Sequence, residues 1–247
     1  MIFTIAAKEL RQLFASPLAW VVLAFLQVVS ALIFLSRLQA FLQMQMQMAA
    51  DPNSAGVTET VVTPVFGTAA ILMMMVVPLL SMRLIAEERR NQTLVFLFSA
   101  PVTLTQIVLG KLLALVGFLA IPTLLIAVMG LVLLMGGAID FGLLGVNTLG
   151  LLLLSATFAA IGLYVSSLTA QPVVAAVGTY TILLVLWLIN IGATDPDSPM
   201  HLLSIVRHFE SFARGVATLP DAVYYVVMTV LFTGLTVRRL EGDRVRA

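Results

Sequence analysis

The most informative segment of the chain is Ala86–Lys111, which reads AEERRNQTLVFLFSAPVTLTQIVLGK. It lies between two long apolar runs and is itself too apolar for an ordinary loop. A charged side chain at the centre of a bilayer costs about 2.5–3.5 kcal/mol on insertion scales, so the four charged residues at 87–90 exclude this stretch as a membrane span. We therefore interpret it as a short helix at the cytoplasmic mouth of a membrane protein, where a soluble partner pushes on it.

The composition indicates an integral membrane protein built of helices. Of the 247 residues, 61% are apolar and only 10% are charged, whereas soluble domains carry about 25% charged residues. The uncharged runs are long enough for helical spans of about 20 residues, and they lack the alternating segments of about 10 residues that mark a membrane barrel. The absence of cysteine excludes disulfides and thiolate catalysis, and the net charge of +1 provides no basic field for nucleic acid.

The uncharged runs divide the chain, residues 1–247, into one transmembrane domain with six spans. The predicted spans cover residues 18–41, 60–82, 112–135, 143–165, 173–193 and 222–237. Residues 1–15 place their apolar side chains on one side at helical pitch and are predicted to form an interfacial helix. The segment 86–110 is cytoplasmic in this topology, and residues 195–221 form an external helical region.

The distribution of lysine and arginine predicts the orientation. With the N-terminus inside, the outer side carries only Arg37, Arg207 and Arg214, and all other basic residues are cytoplasmic. Cytoplasmic segments of membrane proteins are enriched in these residues. Both termini are therefore predicted to be cytoplasmic.

The chain lacks the motifs of a membrane enzyme or a coupled carrier. No predicted span interior carries Asp, Glu, Lys, Arg or His, which argues against a secondary transporter, a voltage sensor or a selective ion channel. A phosphate-binding loop of the form G-x-x-x-x-G-K-[ST] is absent, since Gly110-Lys111-Leu112 lacks both the upstream glycine and the hydroxyl. Neither a G-x-S-x-G nor an H-E-x-x-H motif occurs. We therefore assign no catalytic residue, and any ATP hydrolysis requires another chain.

Two groups of residues leave a metal site open. Met44, Met46 and Met48 alternate with glutamine, and their thioethers suit Cu(I) on a strand but diverge on a helix. His201 and His208 lie seven residues apart, beside Glu210, and share a helical face. Residues at the end of a span and in an interfacial helix are the commoner interpretations, so no metal site is assigned.

Three segments resemble a known family. These are AAKELRQLFASPLAWVVLAFLQV, EERRNQTLVFLFSAPVTLTQIVLGKLLA and HLLSIVRHFESFARGVATLPDAVYYV, and together they look like ABC-2-type permeases, most similar to the gliding-motility and nitrous-oxide-reductase-maturation branch. The resemblance implies an all-α, six-transmembrane-helix permease of the type V exporter kind. It also implies an N-terminal interfacial helix, a cytoplasmic coupling helix and an external helical re-entrant region.

The same resemblance implies the partners and the cellular location. The chain is expected to be the transmembrane subunit of an ATP-binding cassette exporter in a bacterial inner membrane. It would pair with a second permease copy or a related permease, and with two copies of a cytoplasmic ATPase that uses ATP and Mg. The chain itself is expected to be no enzyme and to bind no cofactor. A periplasmic or accessory protein is a further candidate partner.

The resemblance also assigns residues to three regions. The ATPase-coupling residues are Glu87, Glu88, Arg89, Arg90, Thr93, Ser99, Ala100, Pro101 and Gln106; the interfacial residues are Lys8, Glu9, Arg11 and Phe14; and the external residues are His208, Phe209, Phe212, Arg214 and Gly215. One departure concerns Gln92-Thr93, which stands where the family commonly has a glycine-threonine pair, so the turn at this point is expected to differ.

Two other functions remain open from the sequence. The chain is alternatively a scaffold that transports nothing and anchors an ATPase or a maturation factor in the membrane. A membrane-embedded enzyme is the third hypothesis, and the missing motifs disfavour it. The sequence leaves open the substrate, the direction of transport beyond the resemblance, and whether the two permeases are identical.

Overall fold

The computed structural model describes residues 1–48, 56–93, 102–135, 139–192 and 204–246, and every regular element in these ranges is helical. The helices are α1 (Ile2–Ala15), α2 (Pro17–Met48), α3 (Thr63–Ser81), α4 (Ala86–Arg90), α5 (Leu104–Leu131), α6 (Phe141–Leu168), α7 (Pro172–Gly192), α8 (Ile205–Ala213) and α9 (Leu219–Arg246). A π-helical turn at Thr58–Val62 leads into α3, and a 3-10 turn at Val132–Met135 follows α5.

Six helical stretches of the described chain are long and apolar enough to cross a membrane. They contain α2, α3, α5, α6, α7 and α9. The structure therefore confirms the all-α, six-span membrane fold. Several of these helices are longer than the predicted spans, because hydropathy marks only the apolar part of a helix whose backbone hydrogen bonds continue into polar flanks. In particular, α2 continues to Met48 and α9 continues to Arg246.

Helix α6 lies at the centre of the bundle and packs against α3, α5, α7, α8 and α9. Its side chains at Leu151, Leu154 and Phe158 are fully buried. Two glycines let neighbouring helices approach closely. A Cβ atom at Gly150 would lie 2.6 Å from the Cβ of Phe212, and one at Gly162 would overlap Ser81. Small residues at helix contacts are a general means of tight packing in membranes.

The outer helices expose apolar side chains that suit contact with lipid. These side chains include Phe25, Leu32 and Leu35 on α2, Val173, Val177 and Val185 on α7, and Val226, Val230 and Leu231 on α9. Buried hydroxyl groups bond to the backbone of their own helix, as Thr179 Oγ1 does to the Ala175 carbonyl at 2.8 Å. This arrangement satisfies polar groups where water is absent.

The two ends of the bundle differ. At one end, here named the terminal end, α1, α4 and the last turns of α9 come together. At the opposite end, α8 lies beside the start of α3, where Thr63 Oγ1 donates to the Ala213 carbonyl at 3.2 Å. Helix α1 crosses α5 at Gly110, where an added Cβ atom would lie 2.8 Å from the Cβ of Ile5.

Candidate functional site

The start of α4 is anchored to the end of α6 by Ser166. Its Oγ atom accepts hydrogen bonds from the backbone N–H groups of Ile85 at 3.2 Å and Ala86 at 3.0 Å. The same hydroxyl donates to the Met82 carbonyl at 3.0 Å. The first N–H groups of a helix lack partners within the helix, so one buried serine satisfies the turn between α3 and α4 and fixes its position.

A buried lysine connects α4 with α1 and α5. The Lys111 Nζ atom lies 2.6 Å from Glu88 Oε1 and 3.2 Å from Glu9 Oε1, and only 2% of the lysine side chain is exposed. Helix α5 begins at Leu104, so Lys111 lies about two turns inside it, although the third span was predicted to begin at residue 112. A buried charge requires a paired opposite charge. The two glutamates supply that charge and join three helices.

The next residue, Arg89, connects α4 with the other side of the bundle. Its guanidinium donates to the Ser167 carbonyl at 2.7 Å and pairs with Asp243 in the last turns of α9. Asp243 also lies 3.7 Å from Arg239 of the same helix. Adjacent residues of α4 therefore contact α1 and α5 on one side and α6 and α9 on the other.

The remaining two charged residues of α4 point outward. Glu87 and Arg90 are exposed, and neither forms an ion pair with another residue of the described chain. The four residues that the sequence suggested as one unit thus divide into two that hold α4 in place and two that are accessible to a partner.

The end of α4 is closed by a backbone capping motif. The Thr93 N–H donates to the Glu88 carbonyl at 3.0 Å, and the Gln92 N–H donates to the Arg89 carbonyl at 3.2 Å. This pattern is the Schellman motif, which places its C′ residue in the left-handed region that favours glycine. Gln92 has a φ of +56°. The departure at Gln92 therefore leaves the turn intact but places a glutamine where glycine is unstrained.

The rest of the proposed coupling segment is only partly described. Ser99, Ala100 and Pro101 lie outside the described residues. Gln106 lies in the first turn of α5, where its N–H donates to the Oγ1 atom of the capping residue Thr103 at 3.3 Å.

Of the residues assigned to the interfacial helix, two contact α5 and two are exposed. Glu9 is buried in the Lys111 network, and Phe14 packs against the ring of Phe118 with a centroid distance of 5.2 Å. Lys8 and Arg11 are exposed. Helix α1 is therefore attached to α5 both by an ion pair and by an aromatic contact.

At the opposite end, a histidine and an aspartate join α8 to α9. His208 Nδ1 lies 2.6 Å from Asp221 Oδ1, and the Thr218 hydroxyl donates to the other carboxylate oxygen. The His208 ring stacks on Tyr224 with a centroid distance of 4.0 Å. Phe209 and Phe212 lie on the buried face of α8. These contacts seat the amphipathic helix on the bundle.

A second Schellman motif separates α8 from α9. The Gly215 N–H donates to the Phe212 carbonyl at 2.9 Å, and the Val216 N–H donates to the Ser211 carbonyl at 3.0 Å. Gly215 has a φ of +78°. Arg214 is exposed and lies 3.7 Å from Glu210. Phe212 therefore belongs to α8, which is separate from the last span.

The described residues contain no group of three or more metal-ligating side chains. His201 lies outside the described ranges, and the same holds for the side chains of Met44, Met46 and Met48. The histidine that is described, His208, has an aspartate partner instead.

Sequence reasoning missed four residues that stabilise contacts within one end of the bundle or the other, namely Lys111, Ser166, Asp221 and Asp243. One signal was available for the lysine. Lys111 is the lone charged residue between Asn91 and Ile139, and a cation in such an apolar stretch needs a partner. Ser166 and Asp243 give no comparable signal, because serines and acidic residues are common near span ends.

Comparison with known protein families gives a match over nearly the whole of this helical bundle. A protein-family model described as "ABC-2 family transporter protein" matches residues 3–241. The match begins in α1 and ends in α9, so it includes both ends of the bundle. No curated protein matches the chain.

Proposed function

The chain belongs to the ABC-2 family of transporter proteins, and from that premise we propose that it is the membrane subunit of an exporter driven by a separate ATPase. Membership makes it a multi-pass membrane permease component of an ABC transporter. The ATPase partner, the outward direction and the bacterial inner membrane location belong to the proposal. Two further points belong to the proposal. These are the cytoplasmic position of the terminal end and the place of the chain in the gliding-motility and nitrous-oxide-reductase-maturation branch.

The observation that carries the proposal is the way in which α4 is held. Glu88 contacts Lys111 on one side, and Arg89 contacts Asp243 and the end of α6 on the other. A force applied to α4 therefore reaches both halves of the bundle through charged contacts. Rigid-body rotation of packed units is a common switching motion, and α4 provides a place at which to start it.

The accessible residues of α4 supply the docking surface in this proposal. Glu87 and Arg90 are exposed at the terminal end, so they are available to pair with charged side chains on an ATPase. In the proposed complex, two ATPase copies use ATP and Mg, and their closure moves the two α4 helices. This chain contributes no ATP-binding residue to that step.

A second permease subunit is also part of the proposal. Within this chain, the hydroxyl groups of Ser155, Thr157 and Thr179 are buried and bond to its own backbone. They therefore do not line a polar path through the described part of the chain. A path for cargo is better supported between this chain and a second copy or a related permease.

Affinity purification in mild detergent tests the proposal. We expect a P-loop ATPase to co-purify with the wild-type chain, with ATP hydrolysis in the eluate. Glu87→Lys reverses an exposed charge without touching the Lys111 network, so we expect it to reduce ATPase recovery. Arg214→Glu, an exposed charge at the opposite end, is the matched control and should leave recovery unchanged.

The scaffold hypothesis makes a different prediction in the same experiment. Recovery of the chain alone, or with a partner that hydrolyses no ATP, would contradict the exporter and favour a membrane anchor. Equal ATPase recovery with wild type and Glu87→Lys would support the ATPase as a partner but would contradict α4 as its docking surface.

A further inference from the structure

A cavity opens at the terminal end between α1, the start of α2, the end of α3 and α4. Its volume is about 570 Å³, which lies within the range of roughly 300–1,000 Å³ typical of small-molecule sites. Of the two exposed α4 residues in the proposed ATPase contact, Glu87 lines the cavity and Arg90 does not. The cavity and the proposed ATPase contact therefore share Glu87, whereas Arg90 belongs to the ATPase contact alone.

The cavity is lined by side chains of two kinds. Five are leucines, namely Leu13, Leu18, Leu79, Leu80 and Leu84. Six are charged, namely Lys8, Arg83, Lys111, Glu9, Glu87 and Glu88. A ligand that suits both kinds of side chain has an apolar part joined directly to a charged part, as a phospholipid has.

The charged lining residues include equal numbers of cations and acids. Lys111 is already neutralised by Glu9 and Glu88. Arg83 is exposed and forms no ion pair with any described residue, and Glu87 is likewise exposed and without an ion pair among the described residues. An unpaired cation beside an unpaired acid favours a zwitterionic ligand over an anionic one, because an anion alone would be repelled by Glu87.

An exposed tryptophan indicates the depth of the cavity in the membrane. Trp20 follows two of the lining residues, Leu18 and Ala19, and its indole N–H donates to the Phe14 carbonyl at 2.8 Å. Its side chain is 59% exposed. Tryptophan is enriched at the level of lipid headgroups. The cavity thus lies at the level of the lipid headgroups.

We infer that this cavity is a binding site for phosphatidylethanolamine. Arg83 donates hydrogen bonds to the lipid phosphate, Glu87 accepts from its ammonium group, and the lining leucines hold the first part of its acyl chains. The volume accommodates the headgroup and the adjoining chain segments, while the remaining chain length lies in the bilayer. Lipid binding to the purified chain is measured without an ATPase, so it is tested apart from the ATPase contact that also includes Glu87.

Native mass spectrometry of the purified full chain with defined lipids tests the inference. We expect one phosphatidylethanolamine per chain to survive detergent washing at concentrations at which phosphatidylcholine and phosphatidylglycerol are lost. Phosphatidylcholine lacks the ammonium N–H donors that Glu87 requires, and phosphatidylglycerol lacks the cation. Arg83→Gln and Glu87→Gln should each weaken retention about tenfold, since each removes a hydrogen bond to a charged group.

Three controls establish that the cavity itself holds the lipid. Arg11→Gln removes an exposed cation of α1 that does not line the cavity, and it should retain the lipid as wild type does. Soluble glycerophosphoethanolamine, which carries the headgroup without chains, should not compete. The thermal midpoints of Arg83→Gln and Glu87→Gln should match wild type, because both side chains are exposed.

Three results would overturn the inference. These are equal retention of phosphatidylglycerol, unchanged retention in Arg83→Gln, and competition by the soluble headgroup at concentrations similar to the lipid. None of them bears on the ATPase partner, and the loss of that partner would leave lipid retention unchanged.

Discussion

The Lys111 Nζ atom lies 2.6 Å from Glu88 Oε1, which joins the middle of α4 to a lysine two turns inside α5. Glu9 of α1 completes the contact at 3.2 Å from the same nitrogen. One cation thus connects α5 with the preceding helix α4 and with α1 at the start of the chain. This relationship makes α4 a part of the bundle rather than a loop that projects from it.

Replacing Lys111 by methionine tests the importance of this cation. The change keeps most of the length of the side chain but leaves two glutamates without their shared partner. Breaking a buried ion pair in this way costs about 3–5 kcal/mol. We expect the thermal midpoint of the purified chain to fall by about 6 °C or more.

Two further variants control this prediction. Lys8→Met removes a lysine whose side chain is 65% exposed, and surface pairs contribute only about 0–1 kcal/mol, so its midpoint should stay close to wild type. Adding Glu88→Gln and Glu9→Gln to Lys111→Met should recover part of the loss. An unchanged midpoint in Lys111→Met would contradict the assigned role.

Asp243→Asn tests the contact between α4 and the last helix. The substitution removes the charge that pairs with Arg89, while Arg89 keeps its bond to the Ser167 carbonyl. We expect amide hydrogen exchange in residues 238–246 to become about fivefold faster, the effect of losing about 1 kcal/mol. Glu241→Gln, which changes an exposed acid in the same helix, should leave the exchange rates unchanged; equal acceleration by both variants would argue against a specific tie.

Gln92 offers a test in which stability is expected to rise. Its φ of +56° lies in the left-handed region, which costs a non-glycine residue roughly 1–2 kcal/mol. Replacement by glycine removes this strain, but part of the benefit is offset because glycine has more conformational freedom to lose from the unfolded chain. We expect Gln92→Gly to raise the free energy of unfolding by up to about 1 kcal/mol and Gln92→Val to lower it, and opposite signs would show that the turn is not formed.

Gly215 provides the complementary case at the opposite end. Its φ is +78°, and an added Cβ atom would lie 2.6 Å from Leu143 Cδ1. We expect Gly215→Ala to lower the free energy of unfolding by about 1–3 kcal/mol, from backbone strain and overpacking together. Gly145→Ala is the control, because nothing lies within 4 Å of its added Cβ and alanine is the better helix former. Equal effects of the two changes would contradict the position of α8, whose end lies against Leu143.

The sequence predicts the helical membrane fold well, because the backbone N–H and C=O groups of such long uncharged runs must find hydrogen-bond partners within the run itself, as they do in a helix. It also singles out 87–90 as charged residues that must stay outside the hydrocarbon. It does not separate Glu88 and Arg89 from their neighbours. That distinction depends on Lys111 and Asp243, which lie 23 and 154 residues away in the chain.

The turn residues show the same limit in another way. A glycine at 215 is a readable signal for a left-handed cap, whereas a glutamine at 92 is not, although both close a helix with the same backbone pattern. The burial of Glu9 is equally hidden, since it lies between exposed Lys8 and Arg11 in a helix that reads as interfacial. In each case, tertiary contacts decide what local sequence leaves open.

Photo-crosslinking from α4 tests the central claim most directly. A photoreactive amino acid at Glu87, which is exposed on α4, is compared with one at Val216, which is exposed at the opposite end. After irradiation of membranes that contain the intact complex, we predict a covalent adduct between position 87 and a P-loop ATPase, and none from position 216. The absence of an ATPase adduct at 87, or its formation at 216, would contradict the account.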